Sequence, residues 1–109
     1  MFFAFHQNNS GGSFQCDDEV TQFVIIEAEN ADHANSTAES IGIYFDGCEK
    51  GMDCSCCGDR WYRVNDYDGT DKPMIYNEDP SEYKSMWIKE GYAYCYVYYL
   101  DGNRDVFVV

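Results

Sequence analysis

The sequence predicts an α+β domain in which a single helix packs on an antiparallel or mixed β-sheet, with a cysteine-rich loop that zinc would stabilise. Three observations predict it. Phe23, Val24, Ile25 and Ile26 form an unbroken β-rich apolar run. Ala31, Ala34, Ala38 and Ile41 recur at three- and four-residue steps, and residues 92–109 carry the pattern of a β-hairpin. A chain of 109 residues has room for one hydrophobic core, so residues 1–109 read as one domain. At 45% hydrophobic and 17% aromatic, the chain is too apolar to remain an unfolded tail.

In chain order, residues 1–6 read as a short strand. Residues 7–13 form a tight loop whose Asn and Gly residues tolerate positive φ, and residues 14–16 return as the second arm of a hairpin. Residues 21–28, bearing the apolar run, are the expected central strand, covered on both faces. Asn30 caps a helix starting at Ala31, and Gly42 ends it, with Ile43, Tyr44 and Phe45 following. After the cysteine-rich loop at 46–58, residues 60–64 resume as a strand. Polar turns at 66–71 and 77–81 separate short strands at 74–76 and 85–88. Residues 92–100 and 105–109 pair across a turn at 101–103, and no repeat or linker interrupts the chain.

Twenty Asp and Glu against seven Lys and Arg give a net charge of -13. That field repels phosphate backbones and anionic bilayers, which excludes general duplex nucleic-acid binding and argues against a membrane partner. Residues 1–5 are apolar but lack the basic flank and length of an export signal, so a cytoplasmic protein is expected. In that compartment six cysteines point to metal ligands or reduced thiols before disulfides.

Cys54 and Cys57, followed by Gly58, make a Cys-x-x-Cys-Gly knuckle, and Cys48 lies six residues upstream as a third soft ligand for a structural zinc. The fourth place is open to His6, His33, Cys56, Cys16 or Cys95, and plain reduced thiols are the competing reading. If Cys56 merely sits within the knuckle, its replacement by Ser keeps the metal. No His-Glu pair accompanies the cysteines, so a catalytic zinc is not expected.

His6, Gln7, Asn8, Asn9, Ser10 and Ser13 offer many hydrogen-bonding groups beside two glycines, a composition that suits a phosphate or sugar and equally an ordinary polar turn. No Lys follows, so it is not a Walker-type loop. Arg60, Trp61, Tyr62 and Arg63 concentrate positive charge in an acidic chain. In a strand, each face pairs a guanidinium with an aromatic ring, which suits a nucleobase plus phosphate, or else arginines tied to carboxylates. Tyr92, Tyr94, Tyr96 and Tyr98 alternate along one strand face, with Ala93, Cys95, Val97 and Tyr99 opposite. The smaller face is expected under the helix; the tyrosine face suits a subunit interface, on which a homo-oligomer is expected, or else simple half-buried sheet packing, the commoner arrangement. No nucleophile elbow or triad is recognisable, and the chain reads as a binding protein rather than an enzyme.

The stretch from Phe5 through the His6-Gln7-Asn8-Asn9 loop to Phe14, then 42–48 and the Cys54-Ser55-Cys56-Cys57-Gly58-Asp59-Arg60-Trp61-Tyr62 segment, resembles a family of small uncharacterised proteins of tailed bacteriophages over roughly the first 64 positions. The resemblance implies infected bacterial cytoplasm as the setting and supplies no active-site residues. By analogy with that setting, two functions are expected. One is an anti-defence sponge that sequesters a nucleotide-derived immune signal between the His6 loop and the Arg60 strand. The other is an acidic inhibitor or DNA mimic that blocks a host defence protein, using 17–19, 66–71 and 78–82.

Overall fold

The computed structural model describes residues 1–9 and 12–109. Among them the strands are β1 (Phe2–His6), β2 (Phe23–Glu27), β3 (Ala93–Tyr98) and β4 (Arg104–Val108), with one α-helix, α1 (Ala31–Ser40), between β2 and β3. The sheet order is β1-β2-β3-β4. β1 and β4 run antiparallel to their neighbours, whereas β2 and β3 are parallel, so the sheet is mixed.

The consecutive apolar residues of β2 follow from burial on both faces. Val24 and Ile26 join Phe3 and Phe5 of β1 in a core beneath α1, completed by Ala31, Ala34, Ala38, Ile43, Phe45, Trp61 and Val64. Phe23 and Ile25 join Cys95 and Val97 of β3 and Ile75 and Tyr94 in a second core on the opposite face. α1 begins where expected: Asn30 Oδ1 accepts from His33 N at 2.9 Å, satisfying a first-turn amide. Its three buried alanines let the backbone lie close to the sheet, and Gly42, at φ +105°, turns the chain away after it. The β3–β4 hairpin also forms as expected, with Gly102 at φ +89° in its turn.

Four expectations are corrected. β1 pairs with β2, Phe3 opposite Ile26 and Phe5 opposite Val24, and residues 14–16 form no strand. The apolar β2 offers β1 buried cross-strand partners, which Gln15 and Cys16 do not. Residues 60–64 also form no strand, although Trp61 and Val64 are buried; like Ile43 and Phe45, they pack as irregular chain over the helix-side core. Residues 74–76 and 85–88 supply only an isolated bridge between Ile75 and Glu78. Finally, Cys95 and Val97 face away from the helix.

The tyrosine ladder is folded into the molecule. Tyr94 and Tyr96 are buried, and a register irregularity between Ala93 and Cys95 places Tyr94 in the second core. The Tyr96 hydroxyl donates to the Asp17 carbonyl at 2.9 Å, and that of Tyr98 to the Glu19 carbonyl. Arg104 lies over the Tyr96 ring at 4.5 Å. Tyr92 alone of the four is strongly exposed.

Candidate functional site

The N-terminal loop and the 60–63 segment do come together, but mostly to hold each other. Gln7 is buried, and each of its amide groups is used. Nε2 donates to the carbonyls of Gln15 and Thr21, both at 3.0 Å, while Oε1 accepts from Gln15 N and from Arg60 Nη1. Arg60 Nη1 also donates to the Ser13 carbonyl at 2.7 Å, and its Nε donates to Tyr44 Oη at 3.0 Å. Asp53, whose side chain is 1% exposed, accepts from Arg60 N and from the Tyr44 hydroxyl. Asn8 Nδ2 donates to the Cys57 and Asp59 carbonyls at 2.8 and 3.1 Å, and Asn8 N to the Arg60 carbonyl. Gln7, Asn8, Ser13 and Arg60 therefore form a clasp that fastens β1 to the cysteine-rich loop. Asn9 closes the turn by accepting from Gly12 N; Ser10, expected in the same loop, lies outside the described residues.

Trp61 is 1% exposed and packs in the helix-side core, so it offers no ring to a ligand. Its Nε1 has no hydrogen-bond partner among the described residues. The expected alternation of faces fails here because Trp61 and Val64 both turn inward, three apart, while Tyr62 and Arg63 turn to solvent.

Three of the expected ligand residues do line a common cavity of about 390 Å³: His6, Tyr62 and Arg63, together with Ala4, Asp68 and Tyr76. The cavity sits on the outer edge of β1. Odd residues of β1 face β2, as Gln7 N bonding the Gln22 carbonyl and Ala28 N bonding the Met1 carbonyl show. Even residues face the 60–70 segment, to which Phe2 and Asn8 are bonded through Thr70 and Arg60. Between those two points the segment swings out through the 3₁₀ turn at Asp66–Asp68. Ala4 and His6 thus present edge amides and carbonyls with no backbone partner among the described residues.

The His6 ring is held edge-on against Phe23 and Tyr76, at 5.3 and 4.6 Å, and burial lowers its pKa, outweighing the opposite pull of Asp68. Tyr62 and Tyr76 are 57% and 62% exposed. Arg63 rests over the Phe45 ring at 4.9 Å and pairs with Asp46 at 2.9 Å; both members are largely exposed, so the pair is held weakly. Asp68, Tyr76 and Asn77, read from the sequence as acidic cluster, strand end and polar turn, carried no signal as partners of His6. Tyr76 and Asn77, at φ 48° and 66°, form a left-handed turn that a sequence pattern without glycine does not announce.

In the cysteine-rich loop, the Sγ atoms of Cys54, Cys56 and Cys57 lie within 4.8 Å of one another, and this group can hold a metal ion. Cys57 N and Gly58 N both bond back to the Cys54 carbonyl, and Gly58, at φ +89°, completes a turn that puts the sulphurs on one side. A zinc–sulphur bond of about 2.3 Å sets tetrahedral ligands about 3.8 Å apart. The Cys54–Cys56 and Cys56–Cys57 separations, 2.8 and 4.0 Å, bracket that spacing. Hydrogen bonds from Cys56 and Cys57 bring the Cys54 thiol down to about 7, while the same Cys54 contact pushes Cys56 up to about 11.

The cluster differs in one member from the expected set of Cys48, Cys54 and Cys57. Cys56 belongs to the cluster and Cys48 does not; its Sγ donates to the Cys54 carbonyl at 3.4 Å. Nor do the other fourth ligands reach it. His33 Nδ1 accepts from Glu29 N, His6 and Cys16 line separate cavities, and Cys95 lies in the second core, its thiol pushed up to about 12 by burial. The loop is braced independently of any metal. Asp59 accepts from Cys48 N, and Gly47 leaves room for Asp53, whose Oδ2 would lie 1.8 Å from a Cβ there.

Fold and site together define an α+β protein with an edge-strand cavity and a thiol cluster able to take a metal ion. The chain belongs to the family described as a domain of unknown function, DUF7296, whose model matches residues 1–108. Neither a curated protein nor a solved structure matches it. Among the described residues no helix is long and apolar enough to cross a membrane.

Proposed function

We propose that this is a non-enzymatic binding protein that sequesters a nucleotide-derived small molecule in the cavity on the outer edge of β1. The observation that carries the reading is the meeting of His6 with Tyr62 and Arg63, from segments more than fifty residues apart, around main-chain edge groups. Tyr62 and Tyr76 offer rings for a base, Ala4 and His6 offer an amide and a carbonyl for its polar edge, and Arg63 offers a guanidinium for phosphate. From the sequence resemblance to phage proteins, we propose infected bacterial cytoplasm as the setting and an anti-defence role. We further propose a structural zinc on Cys54, Cys56 and Cys57. A homo-oligomer keeps one support, the open edge of β4 with Val106 and Val108 exposed, since Tyr94, Tyr96 and Tyr98 are engaged internally.

Calorimetry with a panel of signalling nucleotides tests the reading. One of them should bind, and Arg63→Ala should weaken it by about 1.5 to 3 kcal/mol, the range for a hydrogen bond to a charged group. Tyr62→Ala should also weaken it. Binding unchanged by both substitutions, or no heat with any nucleotide, would reject it.

The acidic inhibitor is the second reading, favoured by the charge of -13. Much of the acidic surface it would use has local work: Asp17 accepts from Glu19 N and Val20 N, Asp66 from Ala31 N, Asp68 from Asn65 N and Asp79 from Ser81 N. Under this reading, neutralising Asp71, Glu78 and Glu82 abolishes activity and Arg63→Ala leaves it intact.

A further inference from the structure

A second and larger cavity, about 510 Å³, lies beside the start of β2 and β3 and shares no lining residue with the first. Trp87, Tyr92 and Tyr96 contribute its rings, and Asp17, Asp18 and Lys89 its charges. Trp87 and Tyr92 are each 66% exposed, although both are anchored. Trp87 N and Ile88 N donate to Ser85 Oγ, which itself donates to Gln22 Oε1, and the Trp87 ring meets Phe14 at 6.3 Å. Tyr92 is fixed by backbone hydrogen bonds to Lys89 and Val109. Two large rings are thus presented to solvent by structure built to present them.

The ligand class follows from what surrounds the rings. Two carboxylates face one ammonium, which disfavours an anion. Asp17 Oδ1 is engaged by Glu19 N and Val20 N, whereas the Asp18 carboxylate makes no hydrogen bond among the described residues and has the Arg104 guanidinium as an electrostatic neighbour. The same wall already holds a cation on another side: Arg104 stacks on Tyr96 and Tyr98, at 4.5 and 5.7 Å, and donates to the Asp18 carbonyl. Aromatic faces beside carboxylates recognise ammonium and guanidinium groups. A free amino acid would bring its own carboxylate against Asp17 and Asp18, whereas a residue within a peptide would not. The overall charge of -13 also draws basic protein surfaces from a distance.

We infer that the Trp87–Tyr92 cavity binds an arginine or lysine side chain on a basic segment of a partner protein, with the rings stacking on the cation and the Asp18 carboxylate neutralising it. This site stands apart from the nucleotide reading and survives its failure.

The test is titration of the full chain with an acetylated, amidated hexapeptide of alternating Arg and Gly in about 0.15 M salt, followed by the indole resonances. The chain has two tryptophans, and Trp61, at 1% exposure, serves as the internal reference. The Trp87 signal should shift saturably while that of Trp61 stays. Trp87→Ala and Tyr92→Ala should each weaken binding by about two- to thirtyfold, the span of a cation–π contact. Lys89→Ala, which removes the competing charge, should tighten it, and Arg63→Ala should change nothing. A Trp87 signal that does not move, an equal shift with the corresponding Glu peptide, or binding indifferent to both aromatic substitutions would overturn the assignment.

Discussion

Arg60 and Arg63 stand three positions apart and have opposite fates. Arg60 is drawn inward by Gln7, Ser13, Tyr44 and Asp53, so its charge is spent on joining two loops. Arg63 keeps its guanidinium in solvent, held only by an exposed pair with Asp46. The sequence marked both as ligand candidates because spacing reports proximity along the chain and not which side chain the fold will engulf. His6 carries a prediction of its own. Burial lowers its pKa below the ordinary 6.5, so between that value and the folded value the unfolded chain binds more protons and stability rises with pH. On acidification below 6.5 the native protein should therefore lose stability that His6→Gln retains. Melting curves of both proteins over about pH 5 to 8, the range in which histidine titrates, should converge or cross as the pH falls. A constant difference in melting temperature would show that His6 titrates alike in both states.

Among the elements, β2, α1 and the β3–β4 hairpin were legible because each declares itself locally. The four successive apolar residues of β2, the Asn30 cap with its alanine stripe, and the turn glycine at 102 need no knowledge of the rest of the fold. The partner of β1 was not legible, since pairing depends on a strand seventeen residues further on. The irregular 60–64 segment misled for a related reason: apolar residues at 61 and 64 reflect docking on a core and no sheet period. The cysteine-rich loop was half legible. Cys54, Cys57 and Gly58 pointed to the knuckle, yet the turn that brings in Cys56 and leaves Cys48 beside the Cys54 carbonyl is a matter of backbone geometry. Protein prepared without chelator should contain about one zinc per chain, and Cys54→Ser, Cys56→Ser and Cys57→Ser should each lose it while Cys48→Ser keeps it. Because Asn8, Asp53 and Asp59 brace the same loop, chelation should lower the melting temperature without unfolding the protein, unlike an isolated zinc finger. Metal retained by Cys56→Ser would place the site elsewhere.

At the scale of the whole molecule, the excess of thirteen negative charges is confined to a body of 35 × 33 × 23 Å. Among the described residues two ion pairs, Arg60 with Asp53 and Arg63 with Asp46, offset it, while Arg104 spends its hydrogen bonds on a carbonyl and a tyrosine. Screening lengths of about 30 Å at 0.01 M salt and about 10 Å at 0.1 M mean that at low salt nearly every carboxylate feels the others, and at higher salt only its neighbours. Self-repulsion should therefore make the fold salt-stabilised. Raising NaCl from about 10 mM to about 0.5 M should lift the melting temperature by about 4 °C or more, the equivalent of roughly 1 kcal/mol in a domain this size. Most of the rise should come in the first 0.2 M or so, where the screening length falls below the molecular radius. The same field draws a basic peptide toward Trp87 and Tyr92, so that binding should weaken over the salt range in which the fold gains stability. Opposite slopes from one charge distribution are the signature to look for. A melting temperature that is flat or falls with salt would mean that local carboxylate contacts, such as the Asp17, Asp66 and Asp79 caps, outweigh the net repulsion.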